Sequence, residues 1–357
     1  EQEQEQEQEQ EQGQEQEQEQ EQEQEQEQRQ EQGQEQGRRV VIGIDIGGTN
    51  IKSGIIDESG SILHTASTPT EARGGSRESL LAKLFAIADE QRAVAAERGW
   101  TPVAIGVGTA GYVNAREGRI GYATSNLPGW TGVALRSEIE RYTGMAVALA
   151  NDAHAFAMGE AWIGAGREWD EFVCITLGTG VGGCLAVGGR PYYGRDGYGG
   201  GFGHMVLQHG GAPCNCGLSG CWEQYASVTA LMRLAAEGGI EAAAIGHSAK
   251  TLFDWAREGH AEALAVIDRY AEYVALGLTN LVHALNPPAI VIGGAVTAQG
   301  DFLFDRIRSN VQRQVMPAYE GMAIVPARLG EQAGFVGAAR LAMQRAADIE
   351  KAVQGQT

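Results

Sequence analysis

The chain lacks features that would assign it to several common classes of protein. None of its apolar runs is long enough to cross a bilayer, so we expect no membrane partner. Basic residues are scarce, with 27 Lys and Arg against 46 Asp and Glu. This balance argues against nucleic acid as a partner, because its phosphates require a basic protein face. No charged-then-apolar secretory segment opens the chain, and we expect a soluble, cytoplasmic protein.

Residues 1–37 contain no aliphatic or aromatic side chain and alternate Glu with Gln. Such a segment has nothing to bury against the entropy cost of ordering, so we predict a disordered tail. The tail holds 15 Glu and one Arg, so −14 of the net charge of −19 lies there and −5 remains for the other 320 residues. The folded part is therefore only weakly acidic.

Cysteine is also scarce, and three of the five cysteines lie close together beside a histidine. Cys214, Cys216 and Cys221 with His204 form the ligand set of a closed tetrahedral zinc site, which organises a loop rather than activating water. The predicted site is thus a structural Zn²⁺ site in the loop 204–221. The alternatives are buried apolar thiols, or a disulfide with one spare thiol. Cys174 and Cys184 lie in apolar runs and are predicted to fill the core.

Two strand, glycine turn, strand patterns begin near Val40 and Phe172, which indicates an internal duplication. Helical patterns follow at 77–98, 132–143, 151–164, 260–285, 298–316 and 332–348, with short apolar strands at 103–107, 147–150, 290–292 and 323–325. The sequence therefore predicts two α/β domains flanking a cleft, residues 38–150 and 151–357, with the last helix packing back on the first domain. Ligands of such folds bind in the cleft, at strand ends.

The turns Gly47-Gly48-Thr49 and Gly178-Thr179-Gly180 expose backbone amides that an anion can approach closely. The alternative is an ordinary hairpin turn that needs glycine for a positive φ. Asp45, at the end of the first strand, is suited to holding Mg²⁺ through water. Gly293-Gly294 follows a later strand and fits either a purine ring or the packing of a helix. No P-loop or dinucleotide fingerprint is present.

Asn151-Asp152 ends an apolar strand and opens a helix. Either residue could simply be the N-cap, since both types cap helices well. Asp152 at a strand end facing the cleft could also accept a proton from an attacking hydroxyl. The two interpretations are compatible if Asn151 caps the helix and Asp152 reacts.

These residues resemble the ROK family of sugar kinases and sugar-responsive repressors, a branch of the actin-like, ribonuclease-H-like ATPase fold. The resemblance covers about residues 39 to 345, with its motifs in family order. The motifs are Asp45-Ile-Gly-Gly-Thr49, Asn151-Asp152, Leu177-Gly-Thr-Gly-Val-Gly-Gly183, Gly203-His204 and the run Cys-x-Cys-Gly-x-x-Gly-Cys-x-Glu that ends at Glu223.

The resemblance implies an ATP-dependent kinase for a hexose, above all glucose, usually at the terminal 6-hydroxyl, with Asp152 as general base and Mg²⁺ near Asp45. It implies nucleotide contacts at Gly47, Gly48, Thr49, Lys52, Thr179, Gly180, Gly293 and Gly294. It implies sugar contacts at Gly111, Asn126, Asn151, His204 and Glu223. His204 would place one nitrogen on zinc and the other toward the sugar, and the protein would be a homodimer.

One position departs from the family pattern, in which the motif before the zinc histidine is Glu-x-Gly-His. Gly201 stands where that glutamate would bind sugar hydroxyls. Losing a hydrogen bond to a charged group costs about 1.5–3 kcal/mol. Three explanations are open: a pocket for a larger substituent or a cyclitol, slower catalysis, or a sensor that binds sugar without turning it over.

A working kinase is favoured, because Asp152 and both glycine turns are intact. N-acetylmannosamine and N-acetylglucosamine are alternative acceptors. A repressor is disfavoured, because the acidic tail stands where such proteins carry a helix-turn-helix domain.

Overall fold

The structure is a computed structural model, and it describes residues 37–71, 75–123, 127–319 and 321–355. Residues 1–36 of the predicted tail lie outside the described residues, and so does Asn126 of the predicted sugar site.

The first glycine-turn pattern forms an antiparallel hairpin of β1 (Arg39–Ile46) and β2 (Asn50–Asp57). Strand β3 (Ile62–Pro69) extends it beyond β2, while β4 (Thr101–Thr109) and β7 (Ala146–Asn151) add in parallel on the side of β1. The strand order is therefore β3-β2-β1-β4-β7. A small hairpin of β5 (Tyr112–Asn114) and β6 (Arg119–Tyr122) follows the end of β4.

The second pattern builds a sheet with the same arrangement. Its strands are β8 (Glu171–Leu177), β9 (Val181–Val187), β10 (Arg190–Pro191), β11 (Ala289–Gly293) and β12 (Ala323–Pro326). The order is β10-β9-β8-β11-β12, again with an antiparallel hairpin followed by two parallel strands. The predicted duplication is thus confirmed by strand order as well as by the turns.

Nine α-helices are assigned within the described ranges. They are α1 (Arg77–Glu97), α2 (Leu135–Thr143), α3 (Asp152–Ile163), α4 (Glu223–Ala226), α5 (Val228–Glu237), α6 (Ala249–Arg257), α7 (Ala261–Leu285), α8 (Asp301–Gln314) and α9 (Ala333–Gln354). Helices α1 and α2 cover one face of the first sheet, and α5 to α8 cover the outer face of the second. Helices α3 and α9 fill the layer between the sheets, and α9 packs on β1, β4 and β7.

Side-chain alternation in β1 explains how one strand serves both layers. Ile42 and Ile44 belong to the core with α1, whereas Val41 belongs to the core with α3 and α9. Asp45 lies on the same face as Val41, so its carboxylate reaches the start of α9 rather than the outer core. The end of β1 thereby places a charge between the two sheets.

The six predicted helices are confirmed, with ends that differ by a few residues. Helices α4, α5 and α6 and strands β3, β5, β6 and β10 were not predicted. The division into domains at residues 150 and 151 stays a prediction. Across the parts of the chain that the structure describes, no helix combines the length and apolarity that a membrane span requires.

Candidate active site

A cavity of about 610 Å³ opens between the two sheets. Its lining includes the ends of both glycine-turn hairpins, the start of α3 and the loop that follows β10. Asp45, Asp152, His204 and Glu223 all line it. The topology therefore brings together side chains from residue 45 to residue 223, as expected for strand ends that face a cleft.

Asn151 and Asp152 divide their tasks at the start of α3. The Asn151 side chain is the N-cap, since Oδ1 accepts the N–H of Ala153 at 2.9 Å and Nδ2 donates to the Gly111 carbonyl at 2.7 Å. The capping interpretation is therefore confirmed for Asn151. Asp152 lines the cavity, where solvent reaches its side chain.

The two carboxylates of the cavity have perturbed acidities. Burial and the neighbouring charge of Asp152 raise the pKa of Asp45 to about 7, although the charge of Lys52 opposes the shift. The pKa of Asp152 is also raised, because the surrounding protein reduces the hydration of its carboxylate although the side chain is open to the cavity; backbone and side-chain hydrogen bonds oppose the shift. Two carboxylates that share a cleft are a typical arrangement for binding a cation or sharing a proton.

The first glycine turn presents bare backbone to the cavity. Gly47 and Gly48 line the cavity, and neither has a positive φ, so the turn does not require glycine for its conformation. A Cβ at Gly47 would approach the Asn50 carbonyl oxygen to 2.7 Å, whereas a Cβ at Gly48 would meet nothing within 4 Å. The alternative that this turn needs glycine for a positive φ is therefore wrong.

Thr49 and Lys52, predicted near the phosphates, are not among the residues that line the cavity. Thr49 is exposed, and its carbonyl accepts the N–H of Thr70 at 2.8 Å. Lys52 Nζ lies 2.7 Å from Glu331 Oε2, just before α9. Lys52 on β2 pairs with Asp45 on β1, so its positive charge still lies near the Asp45 carboxylate.

The second glycine turn is fixed from behind by Glu223. Gly178, Thr179 and Gly180 line the cavity, and they also lack positive φ. Glu223 Oε2 accepts the N–H of Val181 at 3.0 Å, and a Cβ at Gly180 would approach this oxygen to 2.4 Å. Glycine at position 180 therefore makes room for the carboxylate, while Gly178 faces open space.

Gly293 and Gly294 have different roles. The Phe156 ring of α3 fills the space of a Cβ at Gly293, which supports the helix-packing interpretation for that residue. Gly294 has φ of +97° and lines the cavity. Of the two predicted adenosine contacts, only Gly294 faces the cleft.

His204 and the three cysteines of its loop converge, and their possible ligand atoms lie within 4.8 Å of one another. His204 Nδ1 is 3.7 Å from Cys214 Sγ, and Cys216 Sγ is 3.6 Å from Cys221 Sγ. Ligand atoms at zinc bonding distances of about 2.0–2.3 Å occupy tetrahedral corners roughly 3.5–3.8 Å apart. The four side chains therefore fit one tetrahedral ion. All five cysteines are free, so the disulfide alternative is wrong.

Gly201 lies in the cavity wall, three residues before His204. Its φ is −66°, it is exposed, and a Cβ there would meet nothing within 4 Å. The missing side chain thus leaves open space in the cavity. Gly111 also lines the cavity, with φ of +103°, and its carbonyl holds Asn151.

Sequence reasoning missed several residues of the cavity wall. Tyr112, Tyr122 and Tyr198 line the cavity and form a ring cluster, with centroid distances of 6.2 Å for Tyr112 to Tyr122 and 5.4 Å for Tyr112 to Tyr198. His154, two residues after Asp152, also lines it. The available signals were aromatic residues inside glycine-rich runs and a histidine in an otherwise apolar helical stretch.

Comparisons with known proteins match almost the whole folded part of the chain to one family and its solved structures. Residues 41–345 match the ROK family. The glucokinase of Thermotoga maritima is 35% identical over 316 residues, which are 85% of this chain and 98% of the relative. The ROK hexokinase structure from Thermus thermophilus superposes with a TM-score of 0.75 at 33% identity, covering 87% of this chain and 99% of that one.

A ROK glucokinase structure from Streptomyces griseus, in complex with glucose and AMPPNP, has a TM-score of 0.72 at 35% identity. The alignment covers 85% of this chain and 99% of that chain. The predicted actin-like fold and the predicted resemblance are both confirmed. The chain belongs to the ROK family.

Proposed function

We propose that the chain is an ATP-dependent sugar kinase that phosphorylates the terminal 6-hydroxyl of a hexose, glucose above all. The observation that carries the proposal is the meeting of Asp152 and two bare-backbone glycine turns in one cavity. The glucose and AMPPNP in the Streptomyces griseus relative support both substrates. Phosphoryl transfer asks mainly for positioning and charge stabilisation, which such a cleft supplies.

Asp152 is proposed as the general base. Its carboxylate takes the proton of the sugar hydroxyl while that oxygen bonds to the γ-phosphorus, and the bond from this phosphorus to the bridging oxygen breaks to release ADP. A raised pKa suits this task, because a base works best when its pKa lies near the working pH. Asn151, the residue before Asp152, is the N-cap and fixes the start of the helix that carries the base.

The nucleotide is proposed to lie against Gly47, Gly48, Thr179 and Gly180, with Gly294 near the adenosine. Their amides can approach phosphate oxygens without side-chain obstruction. Thr49 and Lys52 remain proposed contacts that require Lys52 to exchange Glu331 for a phosphate. Gly293 is proposed only as support for the adenosine site, because Phe156 occupies the space beside it.

Asp45 is proposed to hold Mg²⁺, which would neutralise phosphate charge when bound. The residues fit this ion, because an oxygen ligand with a pKa of about 7 next to a second carboxylate gains from a nearby cation. Water between Asp45 and the ion is compatible with the octahedral shell that Mg²⁺ prefers.

The sugar is proposed to contact Asn151, Glu223, His204, Gly111 and Asn126. Asn151 Nδ2 has one hydrogen left after its bond to Gly111, and Glu223 has a second carboxylate oxygen beside the one that holds Val181. His204 Nδ1 faces Cys214 Sγ in the cysteine cluster, so Nε2 is available for a sugar hydroxyl.

Zn²⁺ is proposed for the cluster of His204, Cys214, Cys216 and Cys221. Four protein ligands leave no open position, so the ion would stabilise the loop without taking part in the reaction. A homodimer is proposed from family membership, and light scattering of the purified protein tests it.

The open space at Gly201 favours a second set of acceptors. N-acetylglucosamine, N-acetylmannosamine or a cyclitol would place different bulk against the wall where Gly201 has no side chain. A sensor that binds sugar without turnover is the third outcome.

A coupled assay with ATP, Mg²⁺ and single sugars tests the function. The panel contains glucose, mannose, fructose, N-acetylglucosamine, N-acetylmannosamine and inositol. Glucose should stimulate ADP release most strongly. Stimulation by no sugar on the panel, from protein that binds sugar in calorimetry, would establish the sensor instead of the kinase.

A further inference from the structure

A glycine-rich segment in the cavity wall reaches from the end of β10 to the small hairpin of β5 and β6. We call residues 194–201 the strap. It leaves the second sheet after β10 and reaches the small hairpin of the first, where a Cβ at Gly197 would approach the Val113 carbonyl oxygen to 2.9 Å. Tyr198 continues the contact, since its hydroxyl packs against Gly121 and its ring lies edge-on to Tyr112.

The strap then turns back and becomes the cavity wall at Gly199, Gly200 and Gly201. Gly200 has φ of +90°, and a Cβ there would approach the Gly183 carbonyl oxygen to 2.3 Å. The segment is therefore laid closely over β9 at one point. Five of its eight residues are glycine, so its own conformational preferences do little to hold it in place.

One buried side chain fixes this wall to the helix that carries Asp152. His154 is 2% exposed, and its Nε2 lies 2.7 Å from the Gly199 carbonyl oxygen. A carbonyl oxygen only accepts, and burial lowers the pKa of His154, so the neutral ring donates through Nε2. The ring also packs edge-on against Tyr193, at 5.6 Å between centroids.

We propose that His154 is a positioning residue for the sugar acceptor, because it sets the wall formed by Gly199, Gly200 and Gly201 at a fixed distance from Asp152. The inference rests on the proposed function. His154 and Asp152 lie two residues apart on α3, so a hydrogen bond from His154 to the strap ties the acceptor wall directly to the base. Within the described residues, the nucleotide turns at Gly47 and Gly178 form no hydrogen bond with His154 or the strap, so they should be unaffected.

Steady-state kinetics with three variants tests the inference. His154→Phe keeps a ring against Tyr193 but loses the donor, and it should raise the KM for the sugar about tenfold, the effect of one lost hydrogen bond. The KM for ATP should change less than twofold. His154→Gln retains an N–H donor and should recover at least half of the loss on a logarithmic scale.

The control is His283→Phe, because His283 Nε2 also bonds a backbone group, the N–H of Met316 at 3.3 Å, on an exposed part of α7. It should leave both KM values within twofold of the wild type. Equal KM increases for sugar and ATP in His154→Phe, with no recovery in His154→Gln, would overturn the positioning role in favour of general core packing.

Hydrogen exchange supplies a readout that needs no turnover. Backbone amides of peptides covering 194–201 should exchange at least fivefold faster in His154→Phe than in the wild type, His154→Gln or His283→Phe. Unchanged exchange in a folded His154→Phe would overturn the inference. If the wild type phosphorylates no sugar, the proposed function fails separately, and the exchange rates still decide whether His154 holds the strap.

Discussion

Glu223 accepts a hydrogen bond from the backbone N–H of Val181 at 3.0 Å, and this contact joins the end of the cysteine-rich loop to the second glycine turn. Cys221 lies two residues before Glu223, and Trp222 between them is fully buried, with Nε1 donating to the Tyr273 carbonyl at 2.9 Å. The loop thus has a rigid end. A change at the cysteine cluster should therefore reach the turn proposed to hold phosphate.

Replacing one cysteine tests this connection. Cys221→Ser should lower the zinc content of purified protein from about one ion per chain to under half, measured by metal analysis. It should raise the KM for sugar about tenfold, because His204 and Glu223 lose their fixed positions. The KM for ATP should rise as well, because Glu223 also holds the second glycine turn through Val181. Cys174→Ala is the matched control, since Cys174 is buried in β8 away from the cluster. Near-zero zinc in wild-type protein never exposed to chelators would refute the site.

Asp152→Asn should reduce kcat by about 10³-fold, because the amide cannot take the proton of the sugar hydroxyl. Sugar binding measured by calorimetry should stay within about threefold of the wild type, since the substitution is nearly isosteric and Asn151 still caps α3. Turnover at the wild-type rate would remove Asp152 from the role of base. Asp170→Asn, on the loop before β8, is a control for loss of one carboxylate elsewhere.

Glu160 should be the most important single carboxylate for stability. It is fully buried on α3 and accepts backbone N–H groups of Ala165 at 2.6 Å, Arg328 at 3.0 Å and Leu329 at 2.8 Å. Glu160→Ala should lower the free energy of unfolding by about 3–5 kcal/mol in urea titrations, because it leaves several buried donors without partners. Glu168→Ala, which removes an exposed carboxylate, should cost less than about 1 kcal/mol.

The sequence allowed prediction of those parts of the site that are local in the chain. The glycine turns, Asn151-Asp152 and the cysteine cluster each lie within a short stretch with characteristic spacing, and each lines the cavity or converges in space. The bond from His154 to Gly199 spans 45 residues, and that from Glu160 to Leu329 spans 169. Contacts of this kind depend on how elements pack, and they leave no periodic signal in one sequence.

Two predicted nucleotide contacts have neighbours that the sequence does not indicate. From the sequence, Gly293 fits either a purine ring or the packing of a helix, and in the structure the Phe156 ring of α3 occupies the space beside it. The resemblance implies a phosphate contact for Lys52, whose Nζ is paired in the structure with Glu331, 279 positions away. In both cases the residue type is common in a nucleotide cleft, but the side chain that packs beside it comes from a distant part of the chain and is not indicated by the local pattern.

Gly201→Glu should be tolerated and should raise glucose affinity. A Cβ at position 201 meets nothing within 4 Å, and φ is −66°, so neither sterics nor backbone conformation opposes the side chain. The new carboxylate should accept sugar hydroxyls and lower the glucose Kd about tenfold in calorimetry. Gly200→Ala is the contrasting variant, because its φ of +90° and the Gly183 carbonyl at 2.3 Å predict destabilisation. An unchanged Kd across the sugar panel would mean that the open wall serves another acceptor.

Without Mg²⁺, Asp45 should make the protein less stable as the pH rises. Its pKa is about 7 in the folded protein, chiefly because burial disfavours the charged form, against 3.8 for the unperturbed side chain. Between about pH 4 and pH 7 the folded state therefore retains a proton that the unfolded state has lost, so this carboxyl destabilises the fold increasingly as pH rises through that window and by a constant amount above it.

Asp45→Asn removes this charge without changing the shape of the side chain. At pH 8 without Mg²⁺ the variant should be more stable than the wild type, on the order of 1–2 kcal/mol, because water in the cleft screens part of the burial cost. At pH 4, where the wild-type carboxyl is protonated in the folded state, the two should unfold at nearly the same urea concentration. Millimolar Mg²⁺ with ATP should stabilise the wild type more than the variant, and kcat should fall at least a hundredfold in Asp45→Asn if this carboxylate holds the ion. Equal pH profiles for the two proteins would show that Asp45 is charged at neutral pH without cost, and that no cation is needed to compensate it.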